Sequence, residues 1–384
     1  MLGRIVDILL FLYIALNVLA FEFPIVGIPA RYVIFAALII TSLIAYPNAF
    51  FRKDFSSFIL TVFVMYTILF LYSVIVGNKI ENIMIFIRPL LVLFTIPAFS
   101  SSMIRYGEEH YMKYFSCACV AMIIVFLYVF FRSLIDFGYA MSINEAEGLI
   151  FVNVHQILPR VVIKTFVFMI PFSAYVMNKL KGFWLHLFFL FILLTTLLSQ
   201  TMGIVFTIVL LYLFILRERG FSKSIFVTII IISAVYVLFD TLFLNEMFAS
   251  KAGSSDLKGE QLSNIFKDLD LFSFFFGRGI GCEFVSFDSR KVTEPIIEIA
   301  AVQIFQMGGL IFSFFILYVY LIPALRGLKK DNCNLRRLSL YQIGIFVASM
   351  FNPYLWGGGT GLLFVSLILA ASFKNNQKFK HISR

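Results

Sequence analysis

The side chains that could do chemistry in this sequence gather around one glycine-rich phrase. Phe276-Gly277-Arg278-Gly279-Ile280-Gly281 lies in the longest interval without a hydrophobic run of spanning length, from about 241 to 295. Glycines let a backbone approach a ligand closely. The planar guanidinium of Arg278 suits two-pronged recognition of a phosphate or pyrophosphate. The phrase lacks the Gly-Lys-Ser/Thr of a nucleotide phosphate loop and the strand–helix context of a dinucleotide fingerprint. The same glycines would equally serve a tight turn that re-enters a membrane.

Further cations stand elsewhere. Arg88 precedes Pro89 inside an apolar run. A charge there costs about 2.5–3.5 kcal/mol on insertion scales. It therefore either snorkels to the interface or meets an anion in a cavity, with Pro89 opening the helix. Arg160 and Lys164 follow Pro159 at a spacing that puts both on one helix face. They either anchor the interface or bind phosphate at a helix N-terminus. Arg290 sits in the long interval.

Acids that could act as a base on a hydroxyl nucleophile come just after. Glu294 and Glu298 flank Pro295 and share a helix face, which is also an ordinary helix start. Asp288 is the second candidate and Glu283 competes with it. Gln303, Gln306 and Gly308-Gly309 follow in the same run and imply close packing or a polar cavity. His155 is a lone histidine, a type more often structural than reactive. Cys117, Cys119, Cys282 and Cys333 have no spacing suited to zinc or a disulfide framework.

The elements that must position these residues are membrane helices. The chain of 384 residues is 61% hydrophobic and 14% charged. Its mean hydropathy is +0.96. Continuous apolar runs of roughly 17–25 residues recur throughout, which calls for spanning helices rather than alternating barrel strands. The expected fold is all-α and polytopic, a single transmembrane domain with about twelve helices near 5–21, 31–46, 57–76, 83–99, 114–131, 161–177, 183–198, 201–216, 223–240, 294–322, 338–353 and 357–373. The run 183–216 is too long for one span and is split at Ser199-Gln200-Thr201. Lys258–Asp270 has the spacing of a short amphipathic helix, and the apolar Leu271–Phe276 dips back against the bundle.

The net charge of +10 does not form a basic face for nucleic acid. The positives fall in alternate short loops, as the positive-inside rule requires. That parity puts both termini in the cytoplasm and leaves two long extracytoplasmic loops, 132–160 and 241–293. No cleavable signal peptide is expected, since the first apolar run lacks a small-residue cleavage site.

This layout resembles the O-antigen polymerase (Wzy) and ligase superfamily. The likeness lies in the Ser-Gln-Thr turn at 199–201, the long loop ending in Phe276–Gly281, and the late span carrying Gln306-Met307-Gly308-Gly309-Leu310. Ligases of the superfamily carry a histidine near the start of that span; Val292–Glu298 has none, which favours the polymerase. Members often have Ser-Arg at the mid-chain turn, where Gln200 stands here.

The resemblance implies a glycosyltransferase of GT-C-like type in a bacterial inner membrane. It would use an undecaprenyl-pyrophosphate-linked oligosaccharide, with no metal, cofactor or nucleotide sugar. Arg278 and Arg160 would hold the pyrophosphate, with Arg88, Lys164 and Arg290 in support and Gly277, Gly279 and Gly281 shaping the loop. Glu294, or else Asp288, would activate the acceptor. A chain-length regulator and a flippase are possible partners. The competing readings are a lipid-linked oligosaccharide flippase, an O-antigen ligase and a non-enzymatic scaffold.

Overall fold

The computed structural model of the chain describes residues 2–19, 24–25, 28–136, 150–153, 159–163, 165–199, 201–220, 269–285, 293–294, 299–330, 332–350 and 360–382, with isolated positions between them. Helices α1 (Leu2–Leu19) and α2 (Ala30–Ala45) are joined through a small antiparallel pair, β1 (Pro24–Ile25) and β2 (Ile28–Pro29). A short turn of helix, α3 (Pro47–Phe50), leads to α4 (Lys53–Ile75). Then α5 (Ile80–Ile87), a 3-10 segment (Arg88–Thr95) and α6 (Ile96–Tyr106) run on as one bent rod.

The bend has a local cause. Pro89 supplies no N–H to the α-helical ladder, so the chain leaves α geometry at Arg88. The rod is followed by α7 (Glu108–Ile135), and then by a hairpin of β3 (Ile150–Asn153) and β4 (Arg160–Ile163). Next come α8 (Met169–Lys179), α9 (Phe183–Leu198) and α10 (Met202–Glu218).

The later part holds α11 (Leu271–Phe276), the pair β5 (Phe284–Val285) and β6 (Thr293–Glu294), and α12 (Ala300–Tyr320). It ends with α13 (Ile322–Leu328), α14 (Cys333–Ser349) and α15 (Thr360–Ile382).

Among the described residues, Leu2–Leu19, Lys53–Ile75, Ile80–Tyr106, Glu108–Ile135 and Ala300–Tyr320 are long and apolar enough to cross a bilayer. Ala30–Ala45, Phe183–Leu198 and Gly361–Lys374 are shorter apolar helices. Outward faces are apolar too: Leu60 and Phe63 of α4 are 63% and 68% exposed, a surface suited to lipid and not to water. The chain is a helical integral membrane protein.

The core is organised on α15. Leu362, Leu363, Phe364, Val365, Leu367 and Ile368 are all buried, so this helix is enclosed on every side. It packs across α6, the 3-10 segment and α14. A polar clasp ties α1 to α6 and α7 instead. Asp7, buried in α1, accepts from the Tyr114 hydroxyl at 2.8 Å and the Tyr111 hydroxyl at 3.3 Å, and lies 3.2 Å from His110 Nε2. Tyr111 also bonds to Ser102 of α6.

The described helices follow the apolar runs, and several boundaries differ. The segment expected to open a helix at 161 is a strand, and α-helix starts only at Met169. The run expected from 294 starts as helix at Ala300. The expected 83–99 span is the bent rod, extended to 80–106. The split of 183–216 falls where polarity rises: Ser199 Oγ and Thr201 Oγ1 share a hydrogen bond of 2.6 Å between α9 and α10. The expected spans at 223–240 and the amphipathic stretch 258–270 lie largely outside the described residues.

Candidate functional site

The glycine-rich phrase is a clasped loop, not a free one. Asp270 caps α11 by accepting the Ser273 amide at 2.7 Å. The helix ends at Gly277, whose φ of +74° is the left-handed exit that glycine favours. Aromatic rings fix α11 sideways: Phe272 and Phe276 meet Tyr72 and Phe312 at centroid distances of 6.4 and 5.8 Å.

From there two polar edges grip the backbone. The Arg278 amide donates to the carbonyl of Gln306 at 2.7 Å, and the Gly279 amide to that of Met307 at 3.0 Å. These acceptors are open because α12 is broken at Gly309, which adopts φ +53° and ψ −152°. On the other side, the end of α4, the turn after it and the start of α5 supply side chains. Tyr72 donates to Gly277 O at 2.6 Å. Asn78 donates to Arg278 O at 2.8 Å and Ile280 O at 3.1 Å. The Ile280 amide donates to Ser73 Oγ at 2.7 Å. Asn82 donates to Glu283, which also pairs with Lys79 at 2.9 Å.

The three glycines face protein backbone. A Cβ on Gly277 would stand 2.5 Å from Gly308 N, one on Gly279 2.9 Å from Ser73 Cα, and one on Gly281 2.5 Å from Ile83 N. Their local task is to let the loop seat between α5 and the break in α12. Arg278, half-buried, is thereby carried on a backbone held from both sides. Its positive charge reaches its neighbours. Asp270 is held below the usual carboxylate range by its bonds to Ser273 and then by Arg278. The Cys282 thiol is pushed up to about 12 by burial, with Arg278 opposing. The Lys79 ammonium is held above its usual value by its bond to Glu283. Glu283, bonded to Asn82 and paired with Lys79, is a structural part of the clasp.

The other candidates are distributed as follows. Glu294 lies in β6, directly paired with Phe284 three positions beyond Gly281, so the hairpin returns it to the loop. It is not on a helix face with Glu298, because α12 begins later. Arg160 lies in β4 opposite Asn153, so the helix face shared with Lys164 is replaced by a strand. The hydroxyl of Thr165, just after β4, donates to Val18 O at 2.6 Å, which sets that hairpin at the end of the bundle where α1 finishes. Lys164, Asp288, Arg290 and Glu298 lie outside the described residues.

Arg88 lines a cavity of about 210 Å³ together with Arg31, Tyr32, Tyr13, Asn17 and Pro89. Arg31 was not singled out in the sequence, because it opens a span as an interface anchor would. Tyr72, Ser73, Asn78 and Asn82 were also missed. Their one sequence signal is the polar turn Gly77-Asn78-Lys79 between two apolar runs.

No family model matches this chain. The chain is 27% identical over 345 residues to an O-antigen polymerase of Shigella flexneri, covering 85% of this chain and 84% of that protein. Similarity spread over nearly the whole of both chains agrees with the resemblance carried by the Phe276–Gly281 and Gln306–Leu310 motifs. Over most of its length the chain is thus similar to a protein named O-antigen polymerase.

Proposed function

We propose that this protein is an O-antigen polymerase that transfers a growing glycan from undecaprenyl pyrophosphate to the non-reducing end of an acceptor repeat unit. In this reading the chain crosses the bacterial inner membrane twelve times, with both termini in the cytoplasm. Loops 132–160 and 241–293 and the clasped glycine phrase lie at the periplasmic face. The observation that carries the reading is the similarity to a named polymerase over 85% of this chain. It is supported by the guanidinium of Arg278, mounted on a loop gripped by α12 and by the end of α4 with its following turn.

The acceptor hydroxyl oxygen attacks the anomeric carbon, the glycosyl–phosphate bond breaks, and the pyrophosphate leaves on its lipid. Negative charge grows on the leaving group, and preorganised cations lower that barrier most. Arg278 takes this role with Arg160, with Lys164 and Arg290 in support; Arg88, expected to join them, lines a cavity apart from the loop. Glu294 receives the acceptor's proton, with Asp288 as the second candidate.

The test is a glycan ladder from cells deleted for the gene and complemented with wild type or Arg278→Ala. Single repeat units on the core, restored to a ladder by wild type alone, are expected. An unchanged ladder on deletion would overturn the reading. Substrate trapped on the cytoplasmic side would point to a flippase.

A further inference from the structure

The cavity holding Arg88 is not part of the clasped loop. Its lining comes from α1 (Tyr13, Asn17), α2 (Arg31, Tyr32) and the junction of α5 with the 3-10 segment (Arg88, Leu91). None of the lining residues belongs to 269–285 or to α12. Gly281 seats on the first turn of α5 at Asn82–Ile83. Arg88 follows six residues later, roughly 9 Å along the axis at 1.5 Å per residue. The pocket thus lies deeper in the bundle than the loop, on the same helix.

Three features describe its occupant. First, two guanidinium groups line a volume of about 210 Å³, and no carboxylate is among its described lining residues. Two guanidinium groups with no carboxylate beside them suit an anion. Arg88 carries this point, since it makes no hydrogen bond or ion pair with a described residue. Second, Asn17 and the hydroxyls of Tyr13 and Tyr32 add neutral polar groups, the donors a phosphate oxygen uses. Third, the lip is lipid-facing. Tyr32 and Leu91 are 41% and 46% exposed on the apolar outer surface, so the opening gives onto the bilayer. An anion that enters sideways from a membrane is the headgroup of a lipid.

We infer that the pocket between α1, α2 and the 3-10 segment is a second headgroup site for a polyprenyl diphosphate, separate from the one at Arg278. The inference rests on the polymerase reading for its substrate class. Joining two lipid-linked glycans requires two lipid diphosphates to be bound at once, and the structure has two separate cationic places at the same end of the bundle.

The test counts bound lipid. Full-length protein in nanodiscs is titrated with undecaprenyl diphosphate, and the ratio of lipid to chain is read by native mass spectrometry. Wild type is expected to take two. The Arg31→Gln/Arg88→Gln double variant is expected to keep one and to weaken the other at least about tenfold, as loss of charged contacts to a bound anion does. Arg278→Ala removes the other site. The Arg31→Lys/Arg88→Lys variant keeps the charges and regains part of the binding, which controls for a folding defect.

A wild type that binds a single lipid, lost equally in both variants, would overturn the second site. Inorganic pyrophosphate competing as well as the lipid form would overturn the lipid assignment and leave a free-anion site. The count does not depend on turnover. Two sites in a protein that forms no ladder would keep the pocket and discard the polymerase, and a ladder with unaltered binding in the double variant would do the reverse.

Discussion

The amide of Arg278 donates to the carbonyl of Gln306 at 2.7 Å, which ties the proposed catalytic arginine to the broken point of a membrane helix. The acceptor is available because Gly309 leaves helical geometry. Position and flexibility of the arginine are therefore set by α12, and the loop inherits the rigidity of the bundle.

Glycine is required at this joint. Gly277→Ala forces a side chain into a positive-φ position and against the backbone of Met307 and Gly308. A penalty of at least about 2 kcal/mol is expected. Thermal unfolding in detergent should show a lowered midpoint. A midpoint equal to that of wild type would mean the loop can shift away from α12 without cost.

Asn78 acts as a two-handed donor to Arg278 O and Ile280 O. Asn78→Ala strips both bonds from a half-buried turn, at a cost of about 1–3 kcal/mol. Asn78→Asp keeps the shape but has no N–H to give. Both variants are expected to destabilise to a similar degree. An aspartate variant as stable as wild type would remove donation as the reason for Asn78.

Arg278→Ala separates the loop's structure from its chemistry. The backbone bonds at 278 and 279 do not involve the side chain, so the variant should keep the clasped fold. Loss of one preorganised charge contact at a leaving group slows turnover by roughly 10²–10³. A purified assay of repeat-unit polymerisation should find that loss in kcat. Arg278→Lys should recover only part, for lack of the planar fork.

Asp270 makes the cap of α11 sensitive to acid. Its pKa lies below the ordinary carboxylate value, first through its bonds to Ser273 and then through Arg278. A group depressed on folding stabilises the fold fully above its unfolded pKa of about 3.9, and the contribution fades as pH falls through the lower folded value. Protection of the Ser273 amide in hydrogen exchange, corrected for intrinsic rates, should drop below that range. Asp270→Asn keeps a capping oxygen without a titrating charge. Its protection should stay flat with pH, and a drop matching wild type would exclude Asp270 as the cause.

The buried carboxylate of Asp7 is the clasp at the other end. Asp7→Ala leaves the Tyr114 hydroxyl without its acceptor and strips Asp7 from the Tyr111–Ser102 pair. Each stranded polar group costs about 1–3 kcal/mol. Expression and thermal stability should fall sharply, with no specific effect on chain length of the product. A stable variant with altered ladder length would give Asp7 a role beyond packing.

Much of this protein is decided by the chain alone. A bilayer has one thickness, so apolar runs mark helices directly, and α9 occupies the residues expected of it, 183–198. Pro89 foretold the departure from α geometry, since its missing N–H is a local property. The glycine phrase marked the loop for the same reason.

What the sequence did not determine is non-local. Arg160-Val161-Val162-Ile163 pairs with 150–153, and Thr293–Glu294 with Phe284–Val285, so segments read as helix starts became strands through partners outside their own neighbourhood. The polar grip of Tyr72, Asn78 and Gln306 on the loop, and the meeting of Arg31 with Arg88 in one cavity, likewise depend on how helices pack. Hydropathy assigns each helix to the membrane but does not specify which faces meet. Only the tertiary structure settles that, because side-chain volume and hydrogen-bond satisfaction act between elements far apart in the chain.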